Sequence, residues 1–142
     1  ADVCFVDWVM PKMDGIQLTQ YIRSHTDSPN QFLPVIMVTG SSELEHVMAA
    51  RDAGVTEYLI KPCSVQQILS RIKTVVESPR AFVRKDDYFG PDRRRRKVEI
   101  DEVERRGKAL AAKPAEDMRT ELNPKSLKQV EVDNILGTEH EN

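Results

Sequence analysis

Three short apolar runs without polar alternation divide the first half of the chain. Val3-Cys4-Phe5-Val6 stops at Asp7, Val35-Ile36-Met37-Val38 follows Pro34 and stops at Thr39, and Tyr58-Leu59-Ile60 stops at Lys61-Pro62. A strand with one wet face alternates apolar and polar residues, so unbroken runs read as strands covered on both faces, as in a parallel sheet. Between and after them the spacing becomes helical. Ile16, Leu18, Tyr21 and Ile22 follow Asp14-Gly15, while Leu44, Val47, Met48 and Arg51 follow Ser41-Ser42-Glu43, with Gly54 placed to end that helix. Val65, Ile68, Leu69, Ile72, Val75 and Val76 form the cleanest stripe, opened by Ser64 and halted before Pro79.

Three strand-helix pairs in succession predict right-handed crossovers onto a parallel sheet with helices on both faces. Ligands of such sheets sit beyond the carboxyl ends of the strands. Asp7, Thr39 and Lys61 are each the first polar residue after a strand, so a carboxylate, a hydroxyl and an ammonium are expected on one rim.

Composition limits how far this core extends. Of 142 residues, 39% are apolar and 31% charged, and the apolar residues concentrate before residue 79. Charge breaks at the same place: residues 1–78 carry net −3, residues 79–97 net +5 and residues 98–142 net −4. Three segments are therefore expected, namely a folded α/β part over 1–78, a basic linker over 79–97 and a weakly helical or disordered tail over 98–142. In that tail a thin stripe of Ile100, Val103 and Leu110 is interrupted by Gly107, and beyond Pro114 only Val130, Val132, Ile135 and Leu136 have much to bury. No run approaches the ~18 apolar residues of a membrane-spanning helix, and no basic-then-apolar leader opens the chain, so the expectation is a cytoplasmic protein without membrane contact. Cys4 and Cys63 have no Cys or His partner at metal-ligand spacing and read as reduced.

Alone, Asp7 reads most simply as a loop carboxylate, Thr39 as a helix cap, Lys61 as a solvated cation and Tyr58 as a half-buried strand aromatic. Their joint context is more specific. Asp7-Trp8-Val9-Met10-Pro11-Lys12-Met13-Asp14-Gly15, then Val38-Thr39-Gly40, then Gly54, three residues, and Tyr58-Leu59-Ile60-Lys61-Pro62 resemble, in order, spacing and strand context, the receiver domain of two-component response regulators. The resemblance spans residues 1–78. It implies a partial flavodoxin-like (CheY-like) doubly wound parallel sheet with three strands and three helices, followed by the helical or disordered tail.

It also implies roles. Asp7 would be the phosphoacceptor, taking a phosphoryl group from a sensor histidine kinase or phosphotransfer protein. Thr39 would bond a phosphoryl oxygen, Lys61 would pair with the carboxylate or phosphoryl group, and Tyr58 would rotate inward when Thr39 moves. The backbone carbonyl of Val9 would join Asp7 in holding Mg²⁺. An Mg²⁺ and an ammonium neutralise charge on the transferring group without proton chemistry. The family places a cis peptide at Lys61-Pro62, which would aim Lys61 inward. Val9 and Ser41 occupy positions that tune loss of the phosphoryl group; an apolar Val9 cannot orient water, so slow loss is expected. His25, His46 and His140 read as solvent-facing and non-catalytic.

The chain departs from the family by beginning inside what matches the third of five strands. The two acidic residues that hold Mg²⁺ after the first strand have no counterpart, and Asp14 matches a loop position outside the metal's coordination sphere. Mg²⁺ prefers six oxygens in octahedral geometry, so these residues alone are not expected to complete its coordination. The expectation is the carboxyl-terminal part of a longer regulator, with an open edge at Val3–Val6 that would promote self-association.

The run Arg93-Arg94-Arg95-Arg96-Lys97 leaves three readings open: a solvated charge run, docking through Tyr88-Phe89-Gly90-Pro91, or nucleic-acid binding, against which Asp86, Asp87 and Asp92 interleave and no helix-turn-helix pattern follows. Three function classes result. The foremost is a phosphoryl-accepting signalling module, not an enzyme beyond self-catalysed phosphorylation and dephosphorylation, whose output protein is unknown. The alternatives are a DNA-binding transcriptional regulator acting through the basic tail, and an aspartyl-nucleophile phosphohydrolase. The last would need a second Asp two residues after the first, where Val9 stands.

Overall fold

Each of the three apolar runs before residue 79 forms a strand, and each of the three helical spacings there forms a helix. In the computed structural model, which describes residues 1–94 and 126–138, the order is β1 (Cys4–Val6), α1 (Gly15–Ser24), β2 (Val35–Thr39), α2 (Leu44–Ala53), β3 (Glu57–Ile60), α3 (Val65–Glu77), β4 (Phe82–Lys85), β5 (Tyr88–Pro91) and α4 (Gln129–Leu136). β1, β2 and β3 pair in parallel in that order, with Phe5 opposite Ile36 and Met37 opposite Tyr58. Two layers of helix cover this sheet. Val35 and Met37 share one core with Ile22 of α1 and Val47 and Ala50 of α2, whereas Ile36 packs with Leu59 and with Val75 of α3 on the opposite face. Successive side chains of a strand point to opposite faces, so β2, covered on both, is apolar from Val35 to Val38.

Local signals set the helix ends. Asp14 caps α1 and Ser64 caps α3, each in a reciprocal capping box with Gln17 and Gln67. Gly54 ends α2 in the left-handed conformation at φ 98°, where a Cβ would be strained. Thr39 does not cap α2, whose N-cap is Glu43.

Two features go beyond the sequence expectations. The described part of the supposed basic linker contains an antiparallel hairpin, β4–β5, whose Phe82 and Phe89 meet Phe32 edge-on at 5.2 and 5.4 Å. Arg93 stacks on Tyr88 at 3.6 Å and pairs with Asp52 of α2 at 2.5 Å, and Arg94 pairs with Asp92, so these two arginines have local partners. In the segment expected to be a weak tail, α4 is docked on α2 and β3, with Val132 and Leu136 buried. Only part of the α3 stripe is used: Ile68, Ile72 and Val75 pack inward, while Val65, Leu69 and Val76 stay exposed. Arg95 to Lys97 and the Ile100–Leu110 stripe lie outside the described residues.

Candidate functional site

Three loops at the carboxyl end of the sheet bring the site together. The first follows β1, where Gly15 donates its N–H to the Trp8 carbonyl at 2.9 Å and packs so closely on Asp7 that a Cβ would overlap the Asp7 carbonyl. Glycine opens α1 because only a hydrogen fits between the helix start and the carboxylate's own backbone. The second loop follows β2 and is anchored by the buried Thr39. The third follows β3, with the Lys61–Pro62 bond cis and the Lys61 N–H donating to the Thr39 carbonyl at 2.9 Å.

The three rim residues meet. Lys61 Nζ donates to Asp7 Oδ2 at 2.7 Å, with both side chains partly open to solvent. The Lys61 hydrogen bond is the chief reason the Asp7 carboxyl is held below the usual carboxylate range; burial opposes it, and Lys61's charge, the Thr39 hydroxyl and the Trp8 amide add to it. Ser41 donates its backbone N–H to Thr39 Oγ1 at 3.4 Å and accepts at its carbonyl from the Tyr58 hydroxyl at 2.6 Å. Tyr58 is fully buried, and burial pushes its phenol up to about 12. A carboxylate, an ammonium, a hydroxyl and a buried phenol are thus connected through one loop.

Other candidate residues fall differently. The Val9 side chain is 81% exposed, and Asp14 is turned to its own helix, accepting from the Gln17 N–H at 2.7 Å. No group of three or more acidic, His or Cys side chains able to hold a metal occurs among the described residues. Receiver domains generally bind Mg²⁺ at the phosphorylation site; here the described donor set is one carboxylate already engaged by Lys61 plus a backbone carbonyl, which does not fit a hexacoordinate ion. His46, expected in solvent, is half-buried against Trp8 at 4.5 Å between ring centroids and bonds Ser41 Oγ.

Sequence reasoning missed two buried arginines, Arg23 and Arg71, and the half-buried Arg80. Arg23 donates to the Gly54, Gln31 and Leu33 carbonyls at 3.0, 2.9 and 2.6 Å, and burial lowers it to about 10. Arg71 bridges Glu57 and Asp133. Arg80 donates to the carbonyls of Thr56, Asp92 and Leu136. For Arg71 a signal existed: it lies on the apolar stripe, one turn from Ile68 and from Val75.

The model of the response regulator receiver domain family matches residues 1–73. This chain belongs to that family. The receiver is 36% identical over 76 residues to the chemotaxis protein CheY of Pseudomonas aeruginosa, covering 54% of this chain and 60% of that protein. It is 34% identical over 89 residues to the response regulator RppA of Synechocystis, covering 63% of this chain and 33% of that one. Among solved structures, a response regulator from Chloroflexus aurantiacus is similar with a TM-score of 0.48 and 29% identity, over 54% of this chain and 61% of that one. The chain spans about three-fifths or less of the length of these curated relatives. The receiver family is a signalling domain of two-component systems, mainly not an enzyme. No helix among the described residues is long and apolar enough to cross a membrane.

Proposed function

We propose that Asp7 is the phosphoacceptor of this receiver and that its modification is read out on a protein-interaction face formed by α2, β3 and α3. An Asp7 carboxylate oxygen attacks the phosphorus of a phosphohistidine on a sensor histidine kinase or phosphotransfer protein. The P–N bond breaks, the imidazole leaves, and an acyl phosphate forms. The observation that carries this reading is the 2.7 Å contact between Lys61 Nζ and Asp7 Oδ2 at the carboxyl rim of a parallel sheet. That ammonium keeps the nucleophile ionised and stands where the equatorial phosphoryl oxygens need charge neutralised. A flexible point-charge cation suits the task, because it must shift from carboxylate to phosphoryl oxygen.

The switch follows from what a new dianion offers. Its oxygens accept strongly, and the Thr39 hydroxyl at the same rim is the donor within the fold's reach. Thr39 drawn toward Asp7 carries Ser41, whose carbonyl holds the Tyr58 hydroxyl. Tyr58 and the start of α2 then respond together.

The test is incubation of the chain with labelled acetyl phosphate, with and without Mg²⁺, repeated with Asp7→Asn. Acid-stable but base-labile label on the unaltered chain, lost in Asp7→Asn, is expected. Undiminished label in the variant removes Asp7 from the role.

A further inference from the structure

Helix α4 occupies the face to which the switch leads. Leu127, Val132 and Leu136 are buried in the same core cluster as Val47 and Ala50 of α2 and Tyr58 of β3. The polar groups of α4 meet those that an edge strand leaves open. Gln129 Nε2 donates to the Tyr58 carbonyl at 2.6 Å, and the Ile60 N–H donates to Gln129 Oε1 at 2.9 Å. One carboxamide therefore pairs with the β3 edge as a neighbouring strand would. Further along, Asp133 Oδ2 accepts from Arg71 Nη2 of α3 at 3.0 Å, and Arg80 donates to the terminal carbonyl of Leu136 at 2.9 Å.

The other end of this segment is tied to the switch loop. The Leu127 N–H donates to the Ser42 carbonyl at 2.7 Å, and the Ser126 and Ser42 hydroxyls lie 3.0 Å apart. Ser42 follows Ser41, which links Thr39 and Tyr58. Displacing that loop displaces the acceptor of the first hydrogen bond in the docked segment. An eight-residue helix does not hold its own shape in water, so loss of this anchor and of the Gln129 pairing frees the segment as a unit.

We propose that residues 126–138 are an internal ligand of the α2–β3–α3 face, seated while Asp7 is unmodified and released when it carries phosphate. The partner that the vacated face fits is an amphipathic helix of the same chemistry. It would offer two apolar residues one turn apart, a carboxylate for Arg71 and an amide for the β3 edge. The coupling to Asp7 rests on the receiver reading, whereas the occupancy rests on the contacts alone.

A fluorescein-labelled peptide of residues 126–138 tests both. Apparent affinity scales with the fraction of molecules whose face is open. The peptide is expected to bind the full chain carrying Val132→Ala and Leu136→Ala about ten-fold more tightly than the unaltered chain, and to bind the acetyl phosphate-treated unaltered chain more tightly than the untreated one. Equal affinity for variant and unaltered chain, or no binding to either, overturns the proposal. Hydrogen exchange on Gln129→Ala gives a second measurement: faster exchange of the Ile60 amide with unchanged Met37 and Val38 amides is expected. Loss of protection in β2 as well would make α4 an integral part of the core and overturn its role as a ligand. If Asp7 takes up no phosphate, the receiver reading fails, while the comparison of variant with unaltered chain still decides the occupancy.

Discussion

Replacing Arg71 by Met tests whether the charges buried between α3, β3 and α4 hold this molecule together. Arg71 Nη1 lies 2.9 Å from Glu57 Oε2 and Nη2 3.0 Å from Asp133 Oδ2, with side-chain exposures of 7% for Arg71, 1% for Glu57 and 13% for Asp133. Methionine keeps the aliphatic stem and removes both charge-assisted bonds. Asp133, nearer to solvent, can rehydrate; Glu57 cannot. Removing one partner of a buried pair costs about 3–5 kcal/mol, and Glu57's other contacts, the nearby positive charge of Arg80 among them, put the expected loss at the lower end of that range. Total stabilities are about 5–15 kcal/mol, so the loss is large. Asp133→Asn keeps an oxygen acceptor for Arg71 and should lose about 1 kcal/mol. Urea unfolding followed by circular dichroism measures both. A loss under about 1 kcal/mol for Arg71→Met, or equal losses for the two variants, would refute the reasoning. The pair Arg71→Met with Glu57→Met should recover much of the stability, since an apolar replacement of a buried ion pair is often neutral or better.

Three more outcomes are expected. Lys61→Met should raise the Asp7 carboxyl pKa toward its ordinary value, seen in the carboxyl ¹³C shift; because the folded value is lowered, the Lys61 contact contributes stability above the ordinary carboxylate range and loses it as pH falls through the lowered value, and an unmoved midpoint would contradict this. Gly15→Ala should lower stability by about 1–3 kcal/mol through the clash with the Asp7 carbonyl and reduce phosphate uptake, with unchanged melting and uptake as the contrary result. Tyr58 should ionise only near pH 12 in an ultraviolet titration; its raised value means that stability is intact below the ordinary tyrosine range and lost as pH climbs through about 12, and a Tyr58 phenol titrating near 10 would contradict its burial.

The rim could be read from the chain because its logic is local. Asp7, Thr39 and Lys61 each end an apolar run, and in a parallel sheet the ends of successive strands are carried to one side by the crossovers. The caps at Asp14, Ser64 and Gly54 are equally local, set by one residue and the next turn. What escaped were contacts between residues distant in sequence. Nothing near Gln129 shows that its carboxamide will pair with the backbone of β3, and of the arginines that look like solvated charges, Arg23 and Arg71 are buried and Arg80 half-buried because carbonyls and carboxylates from other segments surround them.

The sequence by itself therefore determined the alternating elements, the doubly covered strands and the three groups at the sheet's end, since these depend on periodicity and on order along the chain. Only the tertiary structure decided that Tyr58 is turned inward, that residues 82–91 fold into a hairpin over Arg23, and that a short distal helix covers the β3 edge. Hydrogen bonds and buried ion pairs gain their strength from the exclusion of water, and which side chains lose their water is settled only when the segments pack.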